Sequence, residues 1–362
     1  MTHSSVPAKD LRIPRGSTIL VTGVSGMIAV HVADEALKAG FRVRGTVRSA
    51  ARGDEVAALL GSPAAFEYAV VPDMAGHAAF HAAMRGAAAA VHCASIHDFS
   101  ARPADMVPPT VRGSLNVLDA ALAAGPDLRS VVFTSSTGAA TSPRPGVRFH
   151  VGRDTWNDAA LDLVRDTPPD RQAAMGFDWK MNVYRAAKVE AERAVWRFVE
   201  RQKPPFDVNV VNPGMNFGGA KGSVGVSGAQ VLGLLDGKMP PIPSCDPQKV
   251  YMVDVVDDAR IHVAAAIDAT VKGQRIFACD SPFNWRLVIE AMQKALPDAQ
   301  LPQPDPHELL DISTVDNALG AELLRKWWGQ PGYKGLEQTV RETVGMCLAR
   351  RNGEYKRRQP AQ

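Results

Sequence analysis

Tyr184 and Lys188 stand four positions apart in Tyr184-Arg185-Ala186-Ala187-Lys188. In a helix that spacing places both side chains on one face. An ammonium beside a phenol favours the phenolate and lowers a pKa that is about 10 when unperturbed. Tyr184 would then give and take a proton near neutral pH. Ser135 and Ser136 close the apolar run Ser130–Ser136 and could offer a hydroxyl to the same substrate oxygen. A Tyr-x-x-x-Lys pair arises often by chance, and a helix-surface Tyr and Lys is the competing structural reading. Its position behind a nucleotide-binding turn and a strand-ending serine gives the pair its weight.

That turn is Thr22-Gly23-Val24-Ser25-Gly26-Met27-Ile28-Ala29. An apolar strand, Thr18 to Val21, precedes it, a helix from about Met27 to Lys38 follows, and a second strand runs from Phe41 to Val47. The order is that of a βαβ unit with a right-handed crossover. Gly23 permits the tight bend, and Gly26 lets backbone approach a pyrophosphate that the helix N-terminus attracts. Ala29 holds the third small-residue position. Where NAD binders place Asp or Glu about 20 residues on, to hold the ribose 2′-OH, this chain has Arg48, with no acid before Asp54. A guanidinium suits a 2′-phosphate, so NADPH/NADP+ is the expected cofactor. Arg42 and Arg44 read as a solvated face.

These residues need a sheet to position them. Phe66–Val71, Ala88–Ala94 and Ser130–Ser136 read as further buried strands, and a helix spans Thr110–Ala124. The alternation requires an α/β Rossmann fold, a doubly wound parallel sheet of about seven strands. Asp73 and Met74 follow the third strand. The acid there could meet an adenine amino group or simply cap a turn. Ala94 and Ser95 are small enough for cofactor to cross the end of the fourth strand. A helical stretch is expected over Ala75–Arg85, and residues 137–181, rich in proline and polar side chains, form an excursion near the active edge.

Beyond it come a helix from about Asn182 to Gln202, a strand Asp207–Val211, and a glycine- and proline-rich region, Gly218–Pro247, around a short helix Ala229–Leu235. The strand Tyr251–Val256, the helix Asp258–Asp268, the strand Gln274–Cys279 and the helices Asn284–Leu296, Asp316–Trp328 and Gly335–Arg350 complete the regular structure. Residues 1–15 read as a flexible lead-in, 16–217 mainly as the nucleotide-binding domain, and 218–350 mainly as a small C-terminal substrate-binding lobe with elements returning to the core. Residues 351–362 read as a disordered tail.

Composition narrows the class. Among 362 residues, 46% are hydrophobic and 22% charged, with a formal net charge of +3, which fits a soluble globule and gives no ground for a nucleic-acid partner. The four cysteines, Cys93, Cys245, Cys279 and Cys347, have no paired spacing and read as free thiols of a reducing compartment. No apolar run is long enough to span a bilayer, so a cytoplasmic protein, monomer or homodimer, is expected.

The chain resembles the extended short-chain dehydrogenase/reductases, in particular the fungal and yeast NADPH-dependent aldehyde and ketone reductases and then the plant dihydroflavonol and cinnamoyl-CoA reductases. The resemblance runs from about Gly16 to about Gly345. LVTGVSGMIAVHV, VRGTVRS, VVPDM, VHCAS, VRGSLNVLDAAL, VVFTSSTGA, VYRAAKVEAERAVW and VNPGMNFG carry it. It implies a reductase of small-molecule aldehydes and ketones. Tyr184 would be the acid/base, Lys188 the partner of the nicotinamide ribose, and Ser136 the group that orients the carbonyl, with no metal. Gly23, Ser25, Gly26, Met27 and Ile28 would wrap the pyrophosphate and Arg48 would take the 2′-phosphate. Asp73 and Met74 would edge the adenine, Ala94 and Ser95 would lie beside the ribose and diphosphate, and Pro213 would abut the nicotinamide. Asn116 matches a helix asparagine with either a structural or a proton-relay role. His97, Phe99, Thr137, Phe217 and Gln230 are expected at the substrate pocket. An epimerase or dehydratase acting on a nucleotide sugar, and a non-catalytic nucleotide sensor, are the alternatives.

Overall fold

The computed structural model describes residues 10–96, 100–144, 146–240 and 251–351. Its strands are β1 (Thr18–Thr22), β2 (Arg42–Val47), β3 (Phe66–Val70), β4 (Ala87–His92), β5 (Ser130–Thr134), β6 (His150–Val151), β7 (Asp207–Pro213), β8 (Met215–Phe217), β9 (Met252–Asp254), β10 (Arg275–Ala278) and β11 (Thr314–Val315). Seven of them build a parallel sheet in the order β3-β2-β1-β4-β5-β7-β10. The order turns back on itself between β1 and β4, so the crevice at their carboxyl ends is the topological switch point where such sheets bind ligands. Ile19, Leu20 and Val21 are wholly buried, as a strand covered on both faces must be.

The helices are α1 (Met27–Lys38), α2 (Ala50–Leu59), α3 (His81–Met84), α4 (Pro103–Ala123), α5 (Asp158–Asp166), α6 (Pro169–Met175), α7 (Phe177–Gln202), α8 (Gly225–Leu235), α9 (Val255–Ile267), α10 (Trp285–Ala295), α11 (Ala318–Trp328) and α12 (Leu336–Arg351). Apolar residues of α1, α9 and α11 fill one face of the sheet, and those of α3, α4 and α7 the other. A third cluster joins β8, α8, α10 and α12 around Phe217, Phe283 and Trp285. Beyond residue 218 the chain thus supplies both this separate core and two elements of the main body, β10 at the sheet edge and α9 against α1.

Several boundaries depart from the sequence reading for identifiable reasons. α4 starts at Pro103 and carries Pro108 and Pro109 inside it, seven residues ahead of the expected Thr110. Met106 is fully buried beside Trp179 and Val183, and Thr110 Oγ1 donates to the Met106 carbonyl at 2.6 Å, so packing holds a helix that two prolines would otherwise break. Conversely, only His81–Met84 of the expected helix 75–85 forms. Asp73 Oδ1 accepts from Ala75 N and Asn116 donates to the carbonyls of Met74 and Gly76, which fixes that stretch as a loop. α7 begins at Phe177, five residues early, because buried Trp179 anchors its first turn to the Ala101 carbonyl.

Residues 10–15, expected as part of a loose lead-in, are tied down. Ile13 enters the core, while Arg12 donates to Ser130 Oγ and the Val271 carbonyl and pairs with Asp207 at 3.2 Å. The stretches 1–9 and 352–362 lie outside the described residues.

Candidate functional site

A cleft of about 1000 Å³ opens at the carboxyl ends of β1, β2, β4 and β5, bounded by the N-terminus of α1, by α7 and by the start of α8. The turn after β1 forms its floor. Gly23 has φ +65°, and a Cβ there would sit 3.0 Å from the Cα of Ala94, so β4 could not approach a larger residue. Gly23 N donates to Thr46 Oγ1, and Ala94 N donates to Thr22 Oγ1, which locks the ends of three neighbouring strands. Gly26 is the N-cap of α1 and has no side chain to block the helix terminus. Ser25, Met27 and Ile28 line the cleft beside it.

Around the rim, Arg48 is exposed one residue past β2, and Asp73 and Met74 follow β3. Arg44, by contrast, is a structural anchor, bound to Glu67 and to the carbonyls of Ala83 and Arg85. Asn116 is occupied with loop carbonyls, so its role is structural. Ser95 lines the cleft with a buried hydroxyl that has no partner among the described residues, and Ala94 lies next to it. A glycine-opened helix N-terminus, an unsatisfied hydroxyl and a rim guanidinium together suit an elongated, anionic dinucleotide.

At the opposite end, Ser136 caps a short turn, Thr137–Ala139, its Oγ accepting from Gly138 N at 3.0 Å. Tyr184 and Ser136 line the cleft together with Thr137. Burial pushes the Tyr184 phenol up; the nearby Ser136 hydroxyl and the charge of Arg185 act against that rise. Lys188 Nζ lies 5.8 Å from the Tyr184 ring centre and donates to the Thr134 carbonyl at 3.2 Å. Burial lowers its ammonium to about 8, with Cys93 and Glu192 holding it up. The sequence led us to expect a phenol lowered by Lys188. In the structure desolvation dominates, and the adjacent cation that counters it is Arg185.

The remaining expected residues divide. Pro213 is buried as the last residue of β7, directly before Gly214 at the cleft wall. Phe217 is not a pocket residue. It is wholly buried in the third core cluster and packs edge-on to Phe283. Gln230 is likewise buried in α8 and absent from the cleft lining. His97 and Phe99 lie outside the described residues. Sequence reasoning overlooked Phe177, Met181 and Arg185, which line the cleft at fourfold spacing along α7, and Tyr251, whose hydroxyl donates to the Ser313 carbonyl. The i, i+4, i+8 pattern of the first three was the available signal.

Behind the wall, Glu192 joins the elements that carry these groups. It accepts from Ser135 Oγ at 2.6 Å, Asn212 Nδ2 at 2.9 Å and Arg275 Nε at 2.6 Å. Asn212 also donates to the Ser136 carbonyl, and Arg275 to the carbonyls of Arg153 and Thr155. β5, α7, β7 and β10 are thereby held in one arrangement.

Residues 19–278 match the model of the NAD dependent epimerase/dehydratase family. The chain belongs to that family. Within it the similarities are to extended short-chain dehydrogenase/reductases. The chain is 33% identical to aldehyde reductase 2 of Sporidiobolus salmonicolor over 340 residues, covering 92% of this chain and 96% of that one. It is 35% identical to a ketoreductase of Penicillium rubens over 347 residues, covering 92% and 97%. Among solved structures, Gre2 of Candida albicans in complex with NADPH superposes with a TM-score of 0.76 at 27% identity, covering 92% of this chain and 98% of that one. This family member thus shares nearly its whole length with carbonyl reductases.

Proposed function

We propose that this protein is an NADPH-dependent reductase that converts aldehydes or ketones to alcohols. The neighbouring hydroxyls of Tyr184 and Ser136, which line one cleft at the end of β5, carry the reading. The named relatives are aldehyde and keto reductases, and the Candida albicans structure is a complex with NADPH. Gly23, Ser25, Gly26, Met27 and Ile28 would hold the pyrophosphate, Arg48 the 2′-phosphate, Asp73 and Met74 the adenine edge, and Ala94 and Ser95 the adjoining sugar. Lys188 and Pro213 would bound the nicotinamide end.

Bound NADPH supplies a hydride to the carbonyl carbon. Ser136 and Tyr184 would hold the carbonyl oxygen between two hydroxyls, and the Tyr184 proton would pass to it as negative charge develops. A phenol kept protonated by burial suits the reducing direction, since the acid must carry its proton at neutral pH. Arg185, the next residue, and Lys188, one helical turn further on, would favour the phenolate that remains.

No helix among the described residues is long and apolar enough to cross a membrane. The free thiols Cys93, Cys279 and Cys347 support a reducing compartment, and we place the protein in the cytoplasm.

The test is carbonyl-dependent NADPH oxidation by the purified protein, with Tyr184→Phe alongside. Turnover should fall by at least ~100-fold in the variant, while NADPH binding, read by fluorescence, stays. Turnover by the variant equal to that of the parent would refute the assignment of Tyr184.

A further inference from the structure

In that scheme the residue after Tyr184 serves only through its charge, which favours the Tyr184 phenolate. Arg185 is only 4% exposed, yet it lines the cleft with Ser136, Thr137, Gly138 and Tyr184. Room for it comes from Gly138, where a Cβ would stand 3.2 Å from Arg185 Cγ. The side chain therefore lies against the same turn whose backbone N–H binds Ser136 Oγ. Asn182 Oδ1 accepts from its Nη1 at 3.2 Å and orients it. Burial lowers the guanidinium to about 10, with Asp178 and Tyr184 holding it up, so it stays charged at neutral pH.

The distribution of charge along the cleft gives this cation its meaning. Among the described lining residues the charged ones are Arg48, Asp73 and Arg185. Arg48 and Asp73 follow β2 and β3, on the side assigned above to the adenosine half of the cofactor. Arg185 alone of the three adjoins the hydroxyl pair at the end of β5. The lining residues around it, Met181, Phe177, Thr141 and Pro143, are apolar or neutral, and Asp178, which helps hold its charge, is not among the lining residues. A guanidinium in so dry a wall binds a carboxylate far more strongly than one in water does, and its planar fork matches two carboxylate oxygens.

We propose that Arg185 is a specificity-determining residue that pairs with a carboxylate carried close to the reacting carbonyl, so that the preferred substrates are oxo acids. The inference rests on the reductase reading and deepens it. In that pairing the carboxylate would meet the guanidinium while the carbonyl oxygen is held between Tyr184 and Ser136. Simple monofunctional aldehydes would leave the guanidinium without this partner and would be the poorer substrates.

The test compares benzoylformate with its methyl ester, which has the same reacting ketone and no charge. NADPH oxidation is followed with the parent protein, Arg185→Met and Arg185→Lys. In Arg185→Met, kcat/KM should fall ~10- to 100-fold more for the acid than for the ester. Arg185→Lys, which keeps the charge but loses the fork, should recover part of that difference. Because both substrates meet the same preparation, the ratio does not depend on the fraction folded, and if Arg185→Met does not fold, Arg185→Lys must still show the smaller shift in the same direction. Equal losses on acid and ester would overturn the carboxylate pairing and leave the reductase reading intact. No oxidation of NADPH by the parent protein with either substrate, or with any aldehyde or ketone, would overturn that reading and this proposal with it.

Discussion

Removing the Glu192 carboxylate should destabilise the protein more than removing both members of its ion pair. Glu192 and Arg275 are paired at 2.6 Å with side chains 1% and 2% exposed. Glu192→Ala would leave a buried guanidinium, and the donors of Ser135 and Asn212, without their acceptor. Breaking one side of such a pair costs about 3–5 kcal/mol, because the surviving charge stays buried. A chain of 362 residues has an unfolding entropy of roughly 0.8 kcal/mol/K near its midpoint. The midpoint should therefore fall by ~4–7 °C in a calorimetric scan. The double change Glu192→Leu with Arg275→Met removes both charges and leaves only the neutral donors of Ser135 and Asn212 unpaired, so its midpoint should fall by less than that of Glu192→Ala. Arg275 lies 4.1 Å from the Trp156 ring centre, and a methionine there keeps some of that contact. A Glu192→Ala shift below ~1 °C, or one equal to the double variant's, would show that the network is not a coupled buried pair.

Two further outcomes follow from the same geometry. Arg48→Ala should raise the KM for NADPH ~10-fold, the loss of one charge-assisted contact at an exposed rim, and change that for NADH by less than ~2-fold. Equal changes for both cofactors would show that Arg48 does not read the 2′-phosphate. The Lys188 ammonium, lowered by burial to about 8 and held up by Cys93 and Glu192, loses its charge as pH rises through that value. kcat/KM for reduction should therefore fall on the alkaline side near pH 8, and Lys188→Arg should move that limb upward. An unmoved limb would assign it to another group.

The frame of the site was readable because it rests on local, repetitive signals. β1, the glycine turn and α1 appear as read, since a buried strand, a positive-φ glycine and a 3.6-residue period each leave a mark within a few positions. The wall was less readable because tertiary contacts override propensity there. The prolines of α4 argue for a break, but Met106 is packed from α7, some 70 residues away in sequence. Phe217 offers an aromatic at a strand end, as a pocket residue would, and only the partner Phe283 shows that the side chain turns inward.

Arg185 is the most instructive omission. On a helix it neighbours Tyr184 in sequence but stands about 100° round the axis from it, so the face defined by Tyr184 and Lys188 does not contain it. It belongs instead to the Phe177–Met181 face, which the sequence reading left outside the helix altogether. Extending α7 by one turn and a half therefore changes more than a boundary. It brings a second face of the helix, and with it a charge, to the cleft, and on the readings proposed above the helix would contribute to substrate choice as well as to proton transfer. Gly138 fits the same logic, since its missing Cβ lets the Arg185 stem pass beside the turn that orients Ser136. The proposed catalytic hydroxyls and the proposed anion partner are thus placed by one contact between two short stretches, and displacing either stretch should disturb both proposed functions together.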